Sequence, residues 1–321
     1  MGKTTPRKIL VTGGAGFIGS NLVDALVERG DRVVVLDNFD DFYDLAVKHG
    51  NLESALASGS VELVEGDIRD AELVRKVMGK LGPEVVYHLA AKVGVRSSVE
   101  DPLSYEEVNV RGAMNVFRGA AQARAGVVVF ASSSSVYGTT RAPFREDDPA
   151  VGPLSPYAAS KRSAELFAHA FCHLGRMPIV ATRLFTVYGP RQRPDLAIHK
   201  FTRQMLAGEA ITRFGDGSSA RDYTYVTDIV DGLLRAASLR EGFQIVNLGG
   251  GQKVSLNRLL ALLEKELGVQ AKIRTCPERP EDMELTWAEV GKARERLGWS
   301  SKMTFENGIV EFVRWYRSRN G

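Results

Sequence analysis

Short β-branched runs, each followed by a stretch with helical spacing, limit this chain's fold more than any other feature. The runs are Ile9-Leu10-Val11, Val33-Val34-Val35-Leu36, Val61-Glu62-Leu63-Val64, Val85-Val86-Tyr87, Val127-Val128-Val129-Phe130 and Ile179-Val180-Ala181. Between them lie helical patterns such as Phe17 to Arg29 and Ser155 to Leu174. A strand that is apolar on both faces needs cover on both, and alternation with helices supplies it in a parallel sheet. The pattern predicts the α/β class with a doubly wound parallel sheet.

Beyond about Tyr188 the texture changes. Gly189-Pro190-Arg191-Gln192-Arg193-Pro194 is a breaker-rich loop, followed by helical spacing from Ala197 to Leu206. Ile245-Val246-Asn247-Leu248 reads as one more strand, ended by Gly249-Gly250-Gly251. Leu256 to Leu267 and Phe305 to Tyr316 have amphipathic helical spacing. The division expected is a sheet domain over 1–185, joined again by a segment of about 220–248. Residues 186–321 then form a smaller, mixed α/β C-terminal substrate lobe.

With 321 residues and 44% hydrophobic side chains, the chain can bury a large core. A net charge of +3 argues against a nucleic-acid partner, which would call for a dense basic face. The start, Met1 to Pro6, has no apolar signal region, and Pro6 breaks the myristoylation pattern. Since no stretch reaches the roughly 18 apolar residues of a membrane span, a cytoplasmic location without membrane contact is expected. Cys172 and Cys276 lack metal-ligand spacing and read as two buried thiols in a reducing compartment; no metal is expected.

Thr12-Gly13-Gly14-Ala15-Gly16-Phe17-Ile18-Gly19 follows the first strand and opens the first helix. Gly13, Gly16 and Gly19 permit a tight turn and let a pyrophosphate approach the helix N-terminus, next to Phe17 and Ile18. A glycine triplet alone is also compatible with a merely tight strand–helix turn. Asp37, about 20 residues on at the end of the second strand, adds a carboxylate placed to accept ribose hydroxyls. That acid would repel a 2′-phosphate, which favours NAD over NADP and a Rossmann site. Asp67 could meet the adenine or simply cap the next helix. Asn38 and Ile68, their neighbours, join the expected cofactor contacts.

Tyr157-Ala158-Ala159-Ser160-Lys161 puts a phenol and an ammonium four residues apart, on one helix face. A free phenol titrates near pH ~10, and a neighbouring cation favours its ionised form. Lys161 could also reach the nicotinamide ribose. Ser132-Ser133-Ser134-Ser135 ends a predicted strand, where a hydroxyl could hold a reacting oxygen against the phenol. Each feature has a bland alternative: a solvated helix face for the pair, and a polar turn for the serines.

In this order the motifs resemble the extended short-chain dehydrogenase/reductase family of nucleotide-sugar enzymes. The resemblance spans TGGAGFIGS at 12–20, HLAA at 88–91, SSSSVYG at 132–138, YAASK at 157–161, RDYTYVTD at 221–228 and LGW at 297–299. It implies Ser133, Tyr157 and Lys161 as the catalytic triad. It places Leu89, Ala90, Ala91 and Asn109 at the cofactor, Arg221 at the nucleotide-sugar diphosphate and Asp282 at the nucleotide ribose. Family members commonly form homodimers, and the helices Met114 to Ala123 and Ser155 to Leu174 could supply the interface.

Dehydrating members carry Asp-Glu just before Val-Tyr-Gly, where this chain has Ser134-Ser135. The segment Phe185-Thr186-Val187-Tyr188-Gly189-Pro190, with Arg193-Pro194-Asp195 and Gly94-Val95-Arg96, resembles members that epimerise UDP-glucuronate at C4. That resemblance implies Ser134, Ser135, Thr186 and Arg193 around the sugar, with Arg193 on its carboxylate through a planar fork that lysine cannot copy. UDP-glucose or UDP-N-acetylglucosamine 4-epimerisation, UDP-glucuronate decarboxylation and an NAD-sensing binding protein stay open as alternatives. Leu184 and Lys92-Val93 depart from the family's usual residues.

Overall fold

The computed structural model describes residues 6–278 and 283–320. The apolar runs become β1 (Lys8–Thr12), β2 (Arg32–Asp37), β3 (Val61–Glu65), β4 (Val85–His88), β5 (Val127–Ser133) and β6 (Ile179–Leu184). With Phe243–Leu248 they form a seven-stranded sheet, ordered Phe243–Leu248, β6, β5, β4, β1, β2, β3. The β1–β2, β2–β3, β1–β4 and β4–β5 ladders are parallel, and Ile9 pairs with both Val33 and Val85. Strand order reverses between β1 and β4. At such a switch point the connections leave in opposite directions and open a crevice at the strands' carboxyl ends.

Both sheet faces are buried. Leu10, Val34, Val86, Val128 and Phe130 pack with Val74, Val77 and Met78 of helix Ala71–Leu81 and with Val116 and Phe117 of helix Ala113–Gln122. Each such fully buried aliphatic side chain stabilises the fold by about 1.5–3 kcal/mol. Helix ends are set locally. Asp70 accepts the N–H groups of Glu72 and Leu73, each at 3.0 Å, and so takes the capping role that the sequence also offered Asp67. Ser155 Oγ accepts Ala158 N–H at 3.1 Å and Pro156 occupies the first turn of helix Pro156–His173. Tyr157 therefore falls in that first turn.

The chain divides into two compact units. One contains the chain up to Thr139, Pro149–Arg183 and Leu233–Val246; the other contains Thr140–Asp148, Leu184–Gly232 and the chain from Asn247 onward. The second unit has a core rich in aromatics, among them Tyr188, Phe201, Tyr223, Phe305 and Phe312. Its strands are short pairs: Thr186–Tyr188 with Tyr223–Tyr225 and Ala210–Phe214 with Lys272–Cys276 run parallel, and Ala220–Arg221 with Val254–Ser255 antiparallel. Trp299 is buried with its Nε1–H donated to Asp228 O at 2.9 Å. Segment 140–148 is tied to this unit by Phe144 N–H on Trp287 O (2.8 Å) and Asn247 Nδ2 on Phe144 O (2.9 Å).

Cys172 and Cys276 are half-buried, which corrects the expectation of two buried thiols. Cys172 lies at the end of its helix, where Sγ donates to Met177 O at 3.2 Å. Among the described residues no group of three or more His, Cys, Asp or Glu could hold a metal ion, and no helix is long and apolar enough to cross a membrane.

Candidate active site

The glycine loop begins where β1 ends. Gly13 donates its N–H to Leu36 O at 2.9 Å and has φ +74°. A Cβ there would lie 2.6 Å from Ala90 N, so the chain's own packing demands glycine. Gly19 is equally constrained, because a Cβ would collide with Gly13 O. Gly16 differs. Its backbone is extended, with φ −74° and ψ 178°, and the nearest atom to a Cβ would be Gly13 O at 3.3 Å. Here the chain's own packing is less strict, since a Cβ would need Gly13 O to give by a few tenths of an ångström, at the mouth of helix Phe17–Glu28 where a pyrophosphate would approach. The cradle therefore fits a dinucleotide.

Phe17 and Ile18 form the first turn of that helix, with Phe17 buried. Leu89 N–H donates to Thr12 O at 3.0 Å and Ala90 N–H to Thr12 Oγ1 at 3.3 Å, which holds the Leu89-Ala90-Ala91 stretch against the loop. Asp37 is buried and accepts Ala15 N–H and Phe39 N–H, each at 2.9 Å, on separate oxygens. An ionised carboxylate has about four acceptor positions, so capacity remains for hydroxyls. Asn38 Nδ2 donates to Asp67 at 3.0 Å, and Arg69 grips Asp67 with a two-point fork at 3.0 and 2.8 Å. Burial works to raise the Asp67 pKa, yet the Arg69 and Asn38 donors hold it below the usual value. Ile68 is buried against Gly112.

Helix Pro156–His173 carries the proton-transfer candidates. Lys161 is buried, donates Nζ–H to Ala131 O at 2.8 Å and lies over the Phe130 ring. Burial pushes its ammonium down to about 7, against the opposing pull of Glu165. The Tyr157 ring meets the Tyr105 ring edge-on, with centroids 6.3 Å apart. Ser133 ends β5, where its Oγ accepts Ser135 N–H at 3.1 Å and starts the tight turn Ser134–Tyr137. Asn109 sits in a π-helical turn, Glu107–Gly112, and braces the region. Its amide pairs with both Lys92 N–H (2.8 Å) and Lys92 O (2.9 Å) and donates to Ser160 Oγ (2.9 Å). Ser160 Oγ in turn donates to Tyr157 O at 2.8 Å.

The structure accommodates the Lys92 departure through this brace: the Lys92 ammonium runs to Ser104 Oγ at 2.9 Å, with Asp101 at 3.5 Å. Tyr105 OH donates to Val93 O at 3.0 Å and lies 2.6 Å from Ser97 Oγ, fixing the Gly94-Val95-Arg96 turn.

In the second unit, Thr186 opens its strand and donates N–H to Asp222 O at 3.0 Å. Arg193 presents its fork to Asp195, with Nε–Oδ1 at 2.9 Å and Nη2–Oδ2 at 2.6 Å. Arg221 Nη1 donates to Ala220 O at 3.0 Å and Glu284 O at 3.2 Å. Its neighbour Asp222 is buried and accepts the amides of Gly250, Gly251 and Ala288 at 2.6, 3.1 and 2.9 Å. Burial nevertheless pushes the Asp222 carboxyl up to about 7. Asp282 lies outside the described residues.

Residues 10–312 match the GDP-mannose 4,6 dehydratase family. The chain belongs to that family. A UDP-glucuronate 4-epimerase from Thermodesulfobacterium geofontis is 37% identical over 308 residues, 95% of each chain. UDP-glucuronate 4-epimerase 4 of Arabidopsis thaliana is 39% identical over 97% of this chain and 75% of its own. Among solved structures, UDP-glucuronic acid 4-epimerase from Bacillus cereus, in complex with UDP-glucuronic acid and NAD, matches with a TM-score of 0.91 at 34% identity. That match covers 97% of this chain and 99% of the other.

Sequence reasoning missed three residues that hold this family member's site together. Asn51 donates to Ala15 O at 3.0 Å and steadies the glycine loop from helix Leu45–Ala57. Tyr105 packs on Tyr157. Glu165, one helical turn past Lys161, is fully buried. Of the three, only Glu165 carried a signal, its four-residue spacing from Lys161.

Proposed function

We propose that the protein interconverts UDP-glucuronate and UDP-galacturonate by epimerisation at C4, through a 4-keto sugar. The observation that carries the reading is the buried Lys161 one turn beyond Tyr157, on a helix pinned to the end of β5. When bound, NAD supplies the hydride acceptor for C4 and then the donor that reduces the keto sugar from the opposite face. Tyr157 takes the C4 hydroxyl proton and returns it. The Lys161 ammonium favours the phenolate, and Ser133 hydrogen-bonds the reacting oxygen. Gly16 admits the pyrophosphate, while Asp37 accepts ribose hydroxyls. Asn38, Asp67 and Ile68 meet the adenine end. Leu89, Ala90, Ala91 and Asn109 line the nicotinamide side.

The oxidised uronate is a β-keto acid, which loses carbon dioxide unless its carboxylate is held out of the reactive orientation. We assign Thr186, Ser134, Ser135 and Arg193 to that carboxylate and Arg221 to the diphosphate, with Asp282 on the nucleoside ribose. The Arg193 fork holds the Asp195 carboxylate at two points, and a substrate carboxylate would share or replace that partner in the same planar geometry. We also propose a homodimer through the helices Met114 to Ala123 and Ser155 to Leu174, the second of which exposes Leu166 and Phe167.

The test is to incubate the purified protein with UDP-glucuronate and no added NAD. UDP-galacturonate is the expected product. A dominant UDP-pentose would replace the reading with decarboxylation, and turnover of UDP-glucose alone would replace it with neutral-sugar epimerisation. Tyr157→Phe is expected to abolish turnover while leaving the NAD content intact. An active Tyr157→Phe variant would remove Tyr157 from the mechanism.

A further inference from the structure

Burial threatens the charge that Lys161 needs, and the structure contains a group placed to protect it. Glu165 has no solvent exposure, and its carboxylate accepts four hydrogen bonds. Ser132 Oγ donates at 2.6 Å, Arg183 donates through Nε and Nη2, both at 2.9 Å, and Arg162 Nη1 donates at 2.9 Å. Arg183 also stacks on the Tyr137 ring, 4.6 Å from its centroid. Ser132 and the Ser134–Tyr137 turn flank Ser133, so one carboxylate is linked to the strand end on both sides of that serine. On its own helix, Glu165 follows Lys161 by one turn and Tyr157 by two.

We propose that Glu165 is a positioning residue for the proton-transfer set: it locks helix Pro156–His173 to the end of β5 and serves as the counter-ion of the Lys161 ammonium. The inference rests on the roles proposed above for Tyr157 and Lys161. Lys161 shares its helix with Tyr157, Arg162 and Glu165 and senses His88 from β4. Arg183 of β6 reaches it through Glu165, and Tyr137 of the Ser134–Tyr137 turn through Arg183. From β5 come the Ala131 carbonyl and the Phe130 ring, with Ser132 bonded to Glu165. His88 is buried and pushed down to about 3, so it stays neutral. Glu165 is then the single anion in this set, set against Lys161, Arg162 and Arg183. Without it, Lys161 and Arg183 would be buried cations with no anion in this set and Arg162 a part-exposed third, and the ammonium is the one that can release a proton.

The locking matters because proton transfer depends on geometry, and a displacement of about 1 Å can cost roughly 100-fold in rate. Ser132 contributes through Glu165: its hydroxyl is the strand's own bond to that carboxylate.

Two substitutions move the Lys161 charge in opposite directions. The readout is the Lys161 titration midpoint in the intact chain, followed by NMR of 13C-labelled lysine methylenes and assigned with Lys161→Met. Glu165→Gln removes the anion and should lower the midpoint by about one pH unit or more. Arg162→Met removes a cation whose side chain is 22% exposed and leaves the Arg183 pair intact; it should raise the midpoint by about half a unit. A midpoint that stays put or rises in Glu165→Gln overturns the counter-ion claim. Should that variant fail to fold, as loss of a partner from a buried pair invites, Glu165→Asp, which keeps the charge but draws it back, should lower the midpoint by a smaller amount and decides the claim instead. A midpoint that stays put or falls in Arg162→Met overturns it.

The locking claim is read from Ser132→Ala, with an expected loss of about 10-fold in kcat at little change in KM. An unchanged kcat, or a loss confined to KM, overturns it. The NMR midpoints need no turnover. A wild-type protein that converts no UDP-sugar would sink the proposed function and leave the counter-ion claim to be judged on its own.

Discussion

Two glycines of one loop should fail in opposite ways when each is replaced by alanine. Gly13 has φ +74°, a region that costs an alanine about 1–2 kcal/mol. Its new Cβ would stand 2.6 Å from Ala90 N, 2.8 Å from Ala90 Cα and 2.9 Å from Leu89 C. These are backbone atoms that cannot rotate aside, so overpacking adds about 1–3 kcal/mol. Together the two effects destabilise Gly13→Ala by roughly 2–5 kcal/mol, a fall in Tm on the order of 5–15 °C. Gly16 has φ −74° and a single neighbour, Gly13 O at 3.3 Å. Gly16→Ala should therefore melt much closer to wild type than Gly13→Ala, with a cost of about 1 kcal/mol once Gly13 O gives by a few tenths of an ångström. Its methyl group would stand at the mouth of the first helix and should weaken NAD binding by about 100-fold or more. Melting curves on NAD-stripped protein, paired with calorimetric NAD titrations, separate the two effects. Wild-type NAD affinity in Gly16→Ala, or a wild-type melt in Gly13→Ala, would refute the division of labour.

Arg193→Ala should lower kcat/KM for UDP-glucuronate by roughly 30- to 1000-fold, with Arg193→Lys recovering little, because only a planar fork grips a carboxylate at two points. Equal losses on UDP-glucose, measured in parallel, would rule out a carboxylate clamp. Lys161→Met should raise thermal stability, and by an amount that depends on pH. The folded ammonium titrates near 7 against an ordinary value of 10.5, so burying the charge weakens the fold fully below pH 7 and progressively less as pH rises toward 10.5. The variant's advantage should be on the order of 4 kcal/mol at pH 6 and should vanish near pH 10; a pH-independent gap would contradict the buried-charge account. Leu166→Arg places a charge on the exposed apolar side of helix Pro156–His173 and should yield monomers by sedimentation, while an unchanged dimer would move the interface elsewhere.

Much of the fold could be read locally. The β-branched runs, the Ser155-Pro156 helix start and the glycine turn act through neighbours a few residues away, where backbone preference and hydrophobic period suffice. The four-residue spacing of Tyr157 and Lys161 needed only a helix to put them on one face. Tertiary packing decided which charges are worth something. Glu165 in sequence is one more acid on a helix, until Arg183 from β6 and Ser132 from β5 surround it. Asn109 braces Ser160 from 51 residues away, and Asp222 gathers amides from as far as Ala288. Segment 140–148 joins the second unit through Trp287 and Asn247, partners that no local pattern announces. Backbone preferences are set within a few residues, so the sequence alone determined the strands of the main sheet, several helices and the nucleotide loop, but not the short strand pairs of the second unit. The strength of a charge or hydrogen bond depends on its partner and on the water excluded around it, and both arrive only when distant segments pack together.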